Sequence, residues 1–214
     1  MHSAVVVPVK AFHEAKLRLA PALSPPARAV LAREMATAVV AAAGDLPVTV
    51  VCDDPEVHRW ALAVGATVHW TPGLGLDGAV EAGVAVAGET AERVVVVHAD
   101  LPLATGLDHV VGQTGVLLVP DRRADGTNVI ALPAGCGFRF RYGPGSFVRH
   151  QAEAVRLGLA VEVRTDAALG WDVDVPDDLH LPGGADLAEQ IDTEHENGDY
   201  LAGYRLPSQL RATT

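Results

Sequence analysis

The apolar residues of this chain fall into short β-branched runs separated by stretches whose apolar positions recur every three or four residues. Residues 4–9 (AVVVPV) form the first run, of the kind that makes a strand buried on both faces. Ser24, followed by Pro25 and Pro26, reads as an N-cap and first turn, and residues 27–43 then carry helical spacing up to Gly44. Residues 48–52 read as a second strand, 54–64 as a helix closed by Gly65, and 66–70 as a third strand before the glycine-rich GLGLDG. A helix over 79–87 follows. Residues 93–99 (RVVVVHA) are the most strand-like run in the chain and deliver Asp100 to a loop held by Pro102. Later strands are expected near 116–119, 128–132 and 160–164, with a helix near 146–157 and another from 186 to about 195.

Strand and helix alternate through the first half, which predicts an α/β fold with a mainly parallel, mixed sheet flanked by helices. A length of 214 residues suits one domain with a sizeable core. We expect that domain to occupy residues 1–180, with 181–214 a peripheral C-terminal helix and tail. No internal repeat is evident.

Charge narrows the range of partners. Sixteen basic residues against twenty-seven acidic ones leave a net charge of −11, which argues against a broad nucleic-acid or anionic-membrane surface. An anionic ligand would have to be met locally. Both lysines of the chain, Lys10 and Lys16, lie in one segment with Arg18, directly after the first strand. The sequence offers no eighteen-residue apolar run and no cleavable signal pattern, so the cytoplasm is the expected compartment. Cys52 and Cys136 have neither metal spacing nor the density of a disulfide scaffold, and both are expected to be reduced and packed.

Ligands of an open α/β sheet collect beyond the carboxyl ends of its strands. Lys10 follows the first strand and Asp100 the strongest one, while Asp172 and Asp174 lie two apart in WDVDVP, on one side of an extended segment. Carboxylates with a hard cation, opposite lysines and an arginine, suit a nucleoside triphosphate with magnesium. The plainer alternative makes Asp100 a turn cap before Pro102 and Asp172 a surface-loop residue.

Two literal motifs point elsewhere. Gly73, Gly75 and Gly78 spell the GxGxxG of dinucleotide folds, but after the third strand rather than the first. Asp172 and Asp174 match the DxDxV of aspartyl-phosphate phosphatases, but near the end of the chain. Asp125-Gly126-Thr127-Asn128 reads as a turn into a strand. In YGPGSF, Gly143, Gly145 and Ser146 precede a helix and could offer amides and a hydroxyl to an anion, or Ser146 could simply cap the helix. No histidine pair has ligand spacing.

Taken in order, PVKAFHEAKLRLAPALSPPAR, HADLPL, PDRRADGTNV, YGPGSFVRHQAEA and DVDVPDDL resemble the 2-phospho-L-lactate and phosphoenolpyruvate guanylyltransferases of coenzyme F-420 biosynthesis. The resemblance spans residues 5–179. It implies a GT-A-like nucleotidyltransferase fold, magnesium, and transfer of GMP from GTP to a phosphorylated three-carbon acid with release of pyrophosphate.

It also implies roles for particular residues. Pro8, Val9, Lys10, Lys16 and Arg18 would hold the nucleotide together with Gly75, Leu76 and Asp100. Asp100, Asp172 and Asp174 would bind metal, and Thr127, Asn128, Gly143 and Ser146 would take the phospho-acid. Lys10, Lys16, Asp100 and Asp174 would carry catalysis. Where the family usually has Leu-Asn, this chain has Leu76-Asp77, whose carboxylate could accept from the guanine N1 and N2 hydrogens. Expected partners are GTP and either phosphoenolpyruvate or 2-phospho-L-lactate. Oligomeric state, a homodimer included, and hand-off of a labile product to the next enzyme are left open. A DxDxV phosphatase and a non-catalytic nucleotide-binding relative are the rival readings.

Overall fold

A computed structural model describes residues 2–112 and 114–191. Seven strands, β1 (Ser3–Pro8), β2 (Val48–Cys52), β3 (Thr67–Trp70), β4 (Arg93–Val97), β5 (Val116–Pro120), β6 (Thr127–Pro133) and β7 (Val161–Val163), form one sheet in the order β3-β2-β1-β4-β6-β5-β7. β6 runs antiparallel to both of its neighbours, and the other pairings are parallel. Four α-helices cover the faces: α1 (Pro25–Ala42), α2 (Pro55–Ala63), α3 (Gly75–Ala87) and α4 (Ser146–Arg156). This is the mixed, mainly parallel α/β sheet that the alternation predicts.

The starts of α1 and α2 follow from local chemistry. Ser24 Oγ accepts from the Ala27 N–H at 3.4 Å, and Asp54 Oδ1 accepts from Glu56 and Val57 at 2.9 and 3.0 Å, each ahead of a proline whose missing N–H costs nothing in the first turn.

The strands at the centre of the sheet sort their side chains by parity. Val5 and Val7 of β1 pack with Val50, Val95, Ala36 and Val39 on the α1 side, while Val6 packs with Val80, Val94, Val96 and Ile130 on the α3 and α4 side. Both faces are therefore buried, which is why these strands read as unbroken apolar runs. A third cluster joins Leu19, Leu23, Leu31 and Met35 to Leu179, Leu181, Leu187 and Ile191. The stretch after residue 180, expected to be peripheral, thus buries three side chains beneath α1. Of the helix expected from 186 to about 195, residues 187–191 are helical and the remainder lies outside the described residues.

One helix start differs from expectation, and one helix cap. α3 begins at Gly75, four residues before 79, so much of the glycine-rich stretch is its first turn rather than a loop. Glycine content suggested a loop, but burial of Val80 and close approach of Gly83 to the sheet decide the matter. The N-cap of α4 is Gly145, at φ +72°, and Ser146 is already helical and buried. The capping acceptor comes from elsewhere: Asp125 Oδ1 takes the Gly145 N–H and the Asp125 carbonyl takes that of Phe147, both at 3.0 Å.

Candidate active site

The carboxyl ends of β1, β2 and β4 and the start of α3 enclose a cavity of about 460 Å³. Pro8, Val9 and Lys10 reach it from β1, His98 and Asp100 from β4, and Gly75 and Leu76 from α3; Lys16 closes one side. This is the crevice in which an open α/β sheet binds ligands. Of the residues expected at a nucleotide, Arg18 and Asp77 lie outside its wall.

Lys16 is the charged centre of the site. Its backbone is left-handed, at φ +56°, and its ammonium donates to Asp100 Oδ2 at 2.5 Å and Asp174 Oδ1 at 3.2 Å. Burial works against the ammonium, but the two carboxylates outweigh it and hold its pKa above the ordinary lysine value. Asp100 answers in kind: burial opposes its charge, and the adjacent ammonium nevertheless keeps its pKa below the usual carboxylate range. Arg18 is exposed, with Nη1 3.8 Å from Asp174 Oδ2, and Lys10 is exposed beside Glu14 at 3.3 Å.

Asp172 and Asp174 lie on an extended segment after β7 that is tied to the β4 loop by the Val173 N–H to the Asp100 carbonyl at 3.2 Å. Their side chains differ. Asp174 is 44% exposed; Asp172 is buried, and desolvation followed by the Asp100 charge pushes its pKa up to about 6. Because the pair sits late in the chain and off any strand, the arrangement of a DxDxV phosphatase is not present.

Two buried carboxylate oxygens, Asp100 Oδ1 and Asp172 Oδ1, have no hydrogen-bond partner. Among the described residues no three acidic, His or Cys groups are gathered closely enough to hold a metal ion outright. An ammonium bridges two of the three carboxylates instead. Oxygen donors, two of them unsatisfied, around a point already occupied by a cation are what a hard divalent ion would accept.

Of the residues expected at the phospho-acid, Thr127, Asn128 and Ser146 are buried and Gly143 is exposed, and none of the four lines the cavity. Thr127 opens β6 and Asn128 follows; Asn128 Nδ2 donates to the Leu169 carbonyl at 3.0 Å and Thr127 Oγ1 meets His150 Nδ1 at 3.0 Å. The Gly145, Ser146 and Phe147 amides are bonded to Asp125 or Gly143. Asp77, expected at the base, uses Oδ1 to hold the Tyr142 N–H at 2.8 Å.

The sequence pattern did not single out Asp178, His98 or His150, and it read Asp125 only as part of a turn. Asp178 is fully buried. It accepts from the Asp174 and Val175 N–H groups at 2.7 and 2.9 Å and from Arg122 and Arg123, so it sets the course of the acidic segment. Its arginine partners lie 55 and 56 residues away, and no local spacing signals them. His98 is packed 4.7 Å from the Tyr142 ring, and burial keeps it neutral.

Known proteins give this geometry a setting. The family described as "Guanylyl transferase CofC like" matches residues 3–182. The phosphoenolpyruvate guanylyltransferase of Sphaerobacter thermophilus is 36% identical over 204 residues, covering 88% of this chain and 99% of that protein. The 2-phospho-L-lactate guanylyltransferase of Methanothermobacter thermautotrophicus is 32% identical, covering 84% of this chain and 83% of that one. Among solved structures, a protein of Desulfovibrio desulfuricans G20 described as a nucleotide-diphospho-sugar transferase superposes with a TM-score of 0.69 at 18% identity, over 84% of this chain and 86% of that one. CMP:2-keto-3-deoxy-manno-octonic acid synthetase does so with 0.53 at 14%, over 92% and 100%. The fold is therefore that of GT-A-like nucleotidyltransferases, and with a match over most of its length the chain belongs to the CofC-like guanylyltransferase family.

Proposed function

We propose that this protein transfers GMP from GTP to the phosphate of a three-carbon acid, with release of pyrophosphate and with magnesium as cofactor. The observation that carries the reading is the Lys16–Asp100–Asp174 cluster at the mouth of a cavity formed by the ends of β1 and β4, in a chain of this family. Relatives named for phosphoenolpyruvate run from 32% to 38% identity against 32% for one named for 2-phospho-L-lactate, and because most of the former lie above it we take phosphoenolpyruvate as the acid.

The chemistry needs little from the side chains beyond placement. A phosphate monoester is already largely dianionic at neutral pH, with a second pKa of about 6, so its oxygen attacks without a general base. The new bond joins that oxygen to the α-phosphorus; the bond from the α-phosphorus to the bridging oxygen breaks, and pyrophosphate leaves with the electron pair. Lys10, Lys16 and Arg18 neutralise the triphosphate and the departing pyrophosphate, and alignment supplies much of the rate. Asp100, Asp172 and Asp174 would hold magnesium, which when bound neutralises phosphate charge.

Pyrophosphate release tests the reading directly, with magnesium and GTP against phosphoenolpyruvate, 2-phospho-L-lactate and 3-phosphoglycerate, and with ATP replacing GTP as control. Release with GTP and phosphoenolpyruvate is expected. Absence of release with every acid, from protein that still binds GTP, overturns the reading.

A further inference from the structure

His150 of α4 is fully buried and both of its ring nitrogens are engaged. Nε2 accepts the Arg141 backbone N–H at 3.0 Å, and Nδ1 lies 3.0 Å from Thr127 Oγ1. The first bond decides the polarity of the second. A nitrogen that accepts an N–H carries no hydrogen of its own, so the proton of the neutral ring sits on Nδ1, which must be the donor to Thr127. Burial keeps the ring neutral, its pKa pushed down to about 4.

The threonine oxygen therefore accepts from the ring, and its own hydrogen must be donated elsewhere. Among the described residues no other bonded partner of Thr127 Oγ1 exists, although the residue is only 2% exposed. A buried donor without an acceptor is costly unless a ligand completes it.

Its surroundings point to where that ligand lies. Thr127 opens the antiparallel β6, so it stands at the carboxyl edge of β4, where the adjacent Asn128 carbonyl accepts from the His98 N–H at 3.0 Å. The Tyr142 ring lies between His98, in the cavity wall, and His150, with centroids 4.7 and 5.0 Å away. Tyr142 Oη and His98 Nε2 are also buried without partners. Polar groups thus remain unsatisfied on neighbouring residues at the carboxyl edge of β4, and of these residues His98 reaches the cavity wall.

We propose that His150 is a positioning residue: by donating to Thr127 Oγ1 it commits the threonine hydroxyl to donating to an oxygen of the bound phospho-acid. This rests on the proposed function and on Thr127 belonging to the acid's subsite.

Two substitutions separate the halves of the relay. In His150→Asn the side-chain amide nitrogen can replace Nδ1 and keep the donor while losing the acceptor for Arg141. In His150→Gln the carbonyl can replace Nε2 and keep that acceptor while losing the donor. Steady-state kinetics with phosphoenolpyruvate and GTP should show the acid KM raised about tenfold or more in His150→Gln, the change expected for one hydrogen bond to a charged group, and within about threefold of wild type in His150→Asn. The GTP KM should stay within about twofold in both, and both should lose similar thermal stability. Equal rises in the two variants, or a rise in the GTP KM, overturn the proposal.

Thr127→Ser and Thr127→Val test the threonine half of the relay on its own, with the acid KM rising only in the valine protein. A Thr127→Val effect on the acid KM without a His150→Gln effect removes His150 and leaves the proposed function standing. An unchanged acid KM in Thr127→Val takes Thr127 out of the subsite and overturns the proposal. Failure of the proposed function itself would be separate, as no pyrophosphate release from the wild type with any acid.

Discussion

Lys16 shows how one residue can serve two states of a site. Its ammonium stands between Asp100 and Asp174 and is itself only 11% exposed. Removing it leaves two neighbouring carboxylates with no cation between them. Lys16→Met should therefore lower stability by about 2–3 kcal/mol, or about 5–10 °C in Tm, as expected for breaking a largely buried ion pair from one side. Millimolar Mn²⁺ should return most of that loss in the nucleotide-free variant and raise the wild-type Tm by less, since the wild type already fills the position with its own charge. A thermal-shift titration of both proteins decides it; equal Mn²⁺ shifts would mean that the ammonium and the metal do not compete. Lys16, Asp100 and Asp174 were legible in the sequence because each lies just beyond an apolar run or in a short acidic motif. Asp178 and His150 were not, because Arg122 and Arg123, which pair with Asp178, and Thr127, which meets His150, lie far away in the chain.

At the scale of elements, β-branched runs and helical apolar spacing located the seven strands and four α-helices of the described residues to within a few residues. They were silent on direction. A strand buried on both faces carries no mark of which way it runs, so the reversal of β6, which brings Thr127 to the ligand edge, came only from the pairing of β4 with β6. The start of α3 was misjudged because the glycines of residues 73–78 signal a loop; inside the helix Gly83 has a different role and permits contact with the sheet. A Cβ on Gly83 would lie 2.5 Å from Val51 Cγ1 and 2.8 Å from Val6 Cγ1, so the helix rests directly on β1 and β2 at this point. Alanine would gain about 1 kcal/mol of helix propensity and meet an overpacking cost of about 1–3 kcal/mol. Gly83→Ala should be net destabilising, with a lower urea midpoint at unchanged m-value. Because α3 also lines the cavity through Gly75 and Leu76, the GTP KM should rise with it. A midpoint equal to or above that of wild type would show that the sheet yields to the added methyl.

The molecule as a whole carries a net charge of −11, yet it places four titratable groups of shifted pKa, His98, Asp100, His150 and Asp172, near the carboxyl end of β4. Those groups do not respond alike to acid. His150 has a folded pKa of about 4 against 6.5 for a free histidine, so between these values the unfolded chain binds the proton that the folded one refuses. Its share of stability is complete above pH 6.5 and is lost as pH falls toward 4. Asp172 runs the other way: its pKa is raised to about 6 from 3.8, so the folded state takes up the proton first and its penalty is relieved by acid over nearly the same range. The wild-type curve mixes the two, but a difference separates them. His150→Gln cannot titrate at this position and keeps Asp172, so the stability gap between wild type and variant should narrow by about 2 kcal/mol between pH 7 and pH 5, as linkage requires for a shift of this size. Urea unfolding of both proteins at the two pH values measures that gap. A constant gap would mean that His150 titrates normally in the folded protein, and that its hydrogen bonds to Arg141 and Thr127 are not those of a neutral ring.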